Sequence, residues 1–199
     1  RRQRQMCIRD SIYDYTLMDG VALKAGYTPS AGSSAVEGSL EYGVHYTGID
    51  GLDLYAAMGE NNDAANSSDT SMLAAKYTMG AMTIGLGYAN IDGTADETTS
   101  GISVAYGVAG GTLSLGYEST DEATDSTTMA AAFPGSLDAD TSYSIGYTDG
   151  EQGTLASTQL EAVVSRSLGG GVSVYAEIQE NGGSGTSGTN LSFGTTVAF

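Results

Sequence analysis

The chain holds one histidine, His45, and it falls near Ser39, Glu41 and Asp53. Those residue types are the parts of a Ser–His–acid hydrolase, in which imidazole takes the serine proton and the acid orients the ring. A triad needs hydrogen-bond geometry, which one histidine beside abundant Ser and Glu does not imply. No enzyme is expected, and His45 reads as a polar wall residue. Carboxylates crowd Asp63–Asp69, Asp92–Glu97 and Asp121–Asp125. Oxygen ligands of this kind suit Ca²⁺, but none of the three has EF-hand spacing and no tandem GGxGxD nonapeptide occurs. They read as solvated loops, so no metal site and no cofactor are expected. The remaining charges of interest are Lys24, Glu41, Asp53, Lys76, Glu118, Glu161 and Glu177. Each stands one residue out of phase with an apolar series, which requires strands to position it.

Composition narrows the partners. A net charge of −17 repels phosphates and excludes a nucleic-acid partner. An acidic chain can be disordered, but 40% hydrophobic residues and 13 regularly spaced Tyr argue for a fold. No apolar run approaches the ~18–20 residues of a membrane helix. The first ten residues, RRQRQMCIRD, contain four of the seven basic residues and the only cysteine, Cys7. They are similar to translated sequencing-adapter read-through. Residues 1–11 are therefore expected to be non-native and disordered, and residues 12–199 to form one domain. No Met opens the chain, and N-terminal strands are expected to be missing.

From residue 21 the sequence alternates with period two. VALKAGYT sets Val21, Leu23, Ala25 and Tyr27 against Lys24. GSLEYGVHYT sets Leu40, Tyr42, Val44 and Tyr46 against Ser39, Glu41, Gly43 and His45. GLDLYAAMG opposes Leu52, Leu54, Ala56 and Met58 to Asp53 and Tyr55. The rule continues to the C-terminal NLSFGTTVAF. It predicts about twelve strands of roughly nine to eleven residues, the length of a tilted strand crossing a bilayer.

The connectors alternate as well. TGIDG, TMGA, VAGG and SLGGG are short; GENNDAANSSD, NIDGTADETTS, ESTDEATDS, TDGEQGT and ENGGSGTSG are long and polar. A soluble sandwich has no reason to keep that asymmetry, whereas a membrane barrel has short turns at one end and long loops at the other. Tyr27, Tyr88, Tyr117 and Tyr147 precede long connectors; Tyr46, Tyr77, Tyr106, Phe133 and Phe199 lie toward the short turns or the terminus. These sets predict two aromatic girdles. The second face of each strand is too small and polar to be a core, and fits the wall of a water-filled lumen. Lys24, Glu41, His45, Asp53, Lys76, Glu118, Glu161 and Glu177 are then the expected pore-lining residues. Arg166 breaks the pattern, sharing parity with Leu160, Ala162, Val164 and Leu168. Either it snorkels to an interface or a bulge turns it inward.

In these features the chain resembles a Gram-negative general diffusion porin of the alphaproteobacterial type. The resembling segments are GLDLYAAMGE, the repeated TIGLGYANIDG, TLSLGYESTDE and YSIGYTDGE, and SLGGGVSVYAEIQ followed by NLSFGTTVAF. The resemblance spans roughly residues 12–199. It implies an antiparallel transmembrane β-barrel of about sixteen strands, of which this chain is a C-terminal part. It also implies a homotrimer in the cell outer membrane, in contact with lipid and lipopolysaccharide. The terminal Phe199 is implied as the signal read by the outer-membrane assembly machinery. PSAGSSAVEG is too short for the inward constriction loop of the family.

The expected function is passive diffusion of small hydrophilic solutes and ions, with a mild cation preference from an acidic wall. Two rivals stand beside it. An autotransporter-type translocator would need a helix upstream of the first strand, and SIYDYTLMDG is too short and shows no helical face. A soluble secreted adhesin or binding protein of β-rich type would need no lipid.

Overall fold

Alternation becomes paired strands throughout the computed structural model, which describes residues 11–28, 38–61, 67–93, 96–108, 110–184 and 187–198. The described residues form thirteen strands and no helix. They are β1 (Ser11–Met18), β2 (Val21–Thr28), β3 (Ser39–Ile49), β4 (Leu52–Asn61), β5 (Ser68–Met79), β6 (Met82–Gly93) and β7 (Glu97–Val108), followed by β8 (Gly111–Asp121), β9 (Ser126–Ser136), β10 (Thr141–Gln152), β11 (Leu155–Gly169), β12 (Val172–Gly183) and β13 (Gly188–Val197). They follow one another in chain order in one antiparallel sheet. Contacts divide the chain into residues up to 77 with 86–99, and residues 78–85 with 100 onward.

The first strand is an addition to what the sequence predicts. SIYDYTLM pairs with β2 from Ser11–Tyr27 to Met18–Val21. It has no helical face, but its β-branched and aromatic residues at period two suit a strand. The long polar connectors also differ from expectation. NIDGTADETTS, ESTDEATDS and TDGEQGT are largely strand, since β6 runs to Gly93, β8 to Asp121 and β10 to Gln152. Between β10 and β11 only Gly153 and Thr154 remain as turn. Thr and Ser are compatible with a pleated, solvated sheet, and each backbone there still finds a partner strand. Polarity alone does not separate such strand from loop.

In each unit the sheet has an apolar face and a polar face, and among the described residues no hydrophobic side chain is buried. The turns at one end are tight. Gly20 sits at φ 74° between β1 and β2, and its carbonyl accepts the Thr47 N–H at 2.8 Å. A Cβ there would stand 2.6 Å from the Gly48 Cα, so the turn and β3 touch backbone to backbone. Gly80, at φ 58°, has open space around it.

The β9–β10 turn is held differently. Asp138 accepts the Asp140 N–H at 2.9 Å, and Leu137 N–H donates to the Thr141 carbonyl at 2.9 Å. Arg166 of β11 reaches into this turn. Its guanidinium donates to Thr141 Oγ1 at 2.8 Å and to Asp138 Oδ2 at 3.4 Å. The register is unbroken through Thr141–Arg166 and Arg166–Val174, so Arg166 stays on the apolar face and snorkels to the turn. The irregularity in β11 comes later, between Ser167 and Gly169. The Asp140 N–H holds the Asp138 carboxyl below the usual carboxylate range, aided by Thr141 and least by Arg166.

Two outcomes follow for unfolding in lipid vesicles. Gly80→Ala should cost about 1–2 kcal/mol, the penalty of a left-handed Ala, and Gly20→Ala clearly more, because the Gly48 backbone cannot yield; equal shifts in urea midpoint would contradict the contact. A depressed Asp138 contributes stability above its unfolded value near pH 4, lost as pH falls through its folded value. Asp138→Ala should therefore lower the midpoint at pH 7, with the gap from the parent narrowing as pH falls below about 4; an undiminished gap would remove the carboxylate charge from the account.

Candidate functional site: the polar face

Strand register fixes which side chains share the polar face. In the first unit, Lys24 lies opposite Gly43, and Glu41 opposite Gly26 and Gly59. His45 lies opposite Tyr55, and Asp53 opposite Lys76. Their neighbours along each strand, such as Leu23, Val44, Leu54 and Ala75, fall on the other face by parity.

Three of these residues meet. Asp53 contacts His45 Nε2 through Oδ1 and Lys76 Nζ through Oδ2, the latter at 3.0 Å. The carboxylate is thus shared between two partners from two neighbouring strands. His45 and Asp53 are each about one-third exposed, and Lys76 is 59% exposed. The Tyr55 ring meets the His45 imidazole edge-on, with centroids 6.4 Å apart. Tyr55 leans toward Gly43, where a Cβ would lie 3.2 Å from its hydroxyl. Ser39 shares the face of His45 but lies six residues along the strand, about 20 Å away, so it cannot be a nucleophile for this imidazole. Asp14 of β1, opposite Lys24 and 3.9 Å from it, joins the same face. Asp14 escapes a sequence reading that leaves out β1; its alternation with Tyr13 and Tyr15 is the signal that could find it.

In the second unit the polar face carries acids. Glu118 lies opposite Thr128. Glu161 lies opposite Gly146 and Gln179, and Gln159 Nε2 donates to it at 3.4 Å. Glu177 lies opposite Val163 and Ser192. The only described cation of this unit, Arg166, is on the apolar face. Every described Lys and the histidine therefore belong to the polar face of β2–β5. Among the described residues no three His, Cys, Asp or Glu side chains converge to hold a metal ion.

The described residues of the two expected girdles fall on the apolar face. Tyr27 lies opposite Leu40, Tyr46 opposite Val21 and Leu54, and Tyr77 opposite Leu52. Tyr117 lies opposite Met129, Phe133 opposite Ile145, and Tyr147 opposite Leu160. Tyr88 and Tyr106 share parity with Leu86 and Val104 and are 43% and 49% exposed. Their heights are less even than expected. Tyr46, Tyr77 and Tyr106 stand two or three residues from strand ends, but β6, β8 and β10 continue four or five residues past Tyr88, Tyr117 and Tyr147. Phe199, like residues 1–10 and the connector 29–37, lies outside the described residues.

A family model of Gram-negative porins matches residues 9–186. Among solved structures, a loop-L8 deletion mutant of OmpT, an outer membrane protein of Vibrio cholerae, is 16% identical with a TM-score of 0.61, over 94% of this chain and 88% of that one. A porin refined at 1.8 Å is 13% identical with a TM-score of 0.66, over 96% and 91%. OccD3 (OpdP) of Pseudomonas aeruginosa is 12% identical with a TM-score of 0.69, over 92% of this chain but only 66% of its own. At such identities the likeness is one of fold. No curated protein sequence matches the chain. The family match runs over most of the sequence, and the shared fold is that of outer-membrane β-barrel porins: the chain belongs to the Gram-negative porin family, and its place is the cell outer membrane.

Proposed function

We propose that residues 12–199 supply wall strands of a water-filled channel for passive diffusion of small hydrophilic solutes and ions, with a mild preference for cations. The observation that carries this reading is a sheet with two unlike faces and, among the described residues, no buried hydrophobic side chain. Leu73, Leu191 and Phe193 are 59%, 64% and 72% exposed. Burial of such a side chain stabilises by about 1.5–3 kcal/mol. About a dozen left in water would forgo on the order of 20–30 kcal/mol, more than the roughly 5–15 kcal/mol of a whole domain's stability. A soluble β-rich binding protein could not stay folded against that loss; a sheet in lipid does not incur it. The other face, with its Gly, Ser, Thr and scattered charges, suits water.

The wall charges supply the bias. Glu118, Glu161 and Glu177 would raise the local concentration of cations, while Lys24 and Lys76 temper the effect. No reaction is required, and the channel is non-enzymatic. The aromatic residues of the apolar face would sit at the membrane interfaces, Phe199 would serve the assembly machinery, and three copies would associate around lipid and lipopolysaccharide. These parts rest on the family resemblance.

Planar-bilayer recording of the full-length protein tests the proposal. Stable open-channel steps are expected, with a reversal potential across a KCl gradient displaced toward the cation side. Folded, inserted protein without open steps would overturn the channel, and a clear anion preference would overturn the charge assignment alone.

A further inference from the structure

We propose that His45, Asp53 and Lys76 together modulate the ion preference of the channel and make it change with pH. The inference rests on the diffusion-channel reading. Sequence parity alone counts Asp53 as one of the acidic wall residues. Its two oxygens are instead taken by separate partners, His45 on Oδ1 and Lys76 on Oδ2. Lys76 cancels the Asp53 charge, so the cluster is neutral when His45 is neutral and carries one positive charge when His45 is protonated. Asp53 is therefore not an attractive site for cations; it is the residue that holds two nitrogen side chains against the wall.

Imidazole is the ordinary side chain whose charge changes between pH 5 and 8. Strand register fixes which titratable groups face His45. From β2, Ala22 faces His45, with Lys24 one step along. Lys24 already has Asp14 as a partner. From β4 come Asp53 and Tyr55, from β5 Lys76, and from β3 itself Glu41; the adjoining turns carry Asp19 and Asp50. Carboxylates stay ionised down to about pH 5.5, and lysine and tyrosine keep their protons below about pH 8. Imidazole is the one side-chain type in the cluster whose ordinary proton uptake falls inside that window. A unit charge about 10 Å from a passing ion in water alters its energy enough for about a two-fold change. Cation and anion move in opposite senses, so their permeability ratio should change by about four-fold.

The test is the reversal potential across a KCl gradient at about pH 8 and about pH 5.5, on either side of the imidazole range, using full-length protein whose folding is checked by its heat-dependent gel shift. The parent channel should lose cation preference by about two- to four-fold on acidification. His45→Gln should abolish that response. Asp53→Asn should begin less cation-selective at the alkaline end and Lys76→Gln more cation-selective, giving opposite signs from one cluster. Open steps whose selectivity ignores pH in the parent, or a His45→Gln channel that keeps the full response, would overturn the role of the cluster while leaving the channel reading intact. Absence of open steps in the parent overturns both.

Discussion

Everything in this protein depends on the strand-to-strand hydrogen-bond ladder. With no hydrophobic side chain buried among the described residues, no core holds the chain together. Side-chain packing, which dominates the stability of most folded domains, acts here only along each face. In hydrocarbon an unpaired N–H or C=O costs several kcal/mol, because no water can replace the lost partner. The ladder is then the lowest-energy arrangement available, and pairing continues without interruption for eleven residues in β9–β10 and ten in β4–β5. The register irregularities at Thr16–Met18, Tyr46–Ile49 and Ser167–Gly169 all lie beside tight turns. There water can satisfy what the bulge leaves unpaired.

That dependence explains what is legible in the sequence. A ladder with unlike solvents on its two sides demands strict parity, and parity is visible in a string of letters. The assignment of Leu40, Tyr42, Val44 and Tyr46 to one face and Glu41 and His45 to the other needs no structure, and pairing agrees with it. Strand ends are another matter. Polar strand beyond the apolar zone and polar loop have the same composition, so Asp92, Ser119 and Asp149 read as loop although they are paired or extended backbone. SIYDYTLM is legible only when it is tested against period two; tested against a helix it shows nothing.

Parity also says nothing about height. Which charges meet is decided by register, and register follows from where a turn closes. The turn at Asp50–Gly51 returns β4 so that His45 faces Tyr55, and the β4–β5 register brings Lys76 opposite Asp53. A shift of two residues would preserve every face and separate the three side chains. Their contact is thus a tertiary fact, invisible to a reading that places each residue only on a side. Arg166 illustrates the same limit. Its parity is legible, but its partner Asp138 lies 28 residues earlier in a turn whose own Asp138–Asp140 hydrogen bond shapes the acceptor.

The glycines take their meaning from the same constraint. A wall that must leave room for water cannot also pack large side chains against one another, so each large group on the polar face needs a small one beside it. Tyr55 leans over Gly43, and Tyr175 lies across its cross-strand partner Gly194, where a Cβ would come within 2.5 Å of the ring. Both rings can lie against the neighbouring strand because the glycine beneath them has no side chain. Small residues on this face therefore let the aromatic rings cover neighbouring backbone, which a Cβ at Gly43 or Gly194 would obstruct.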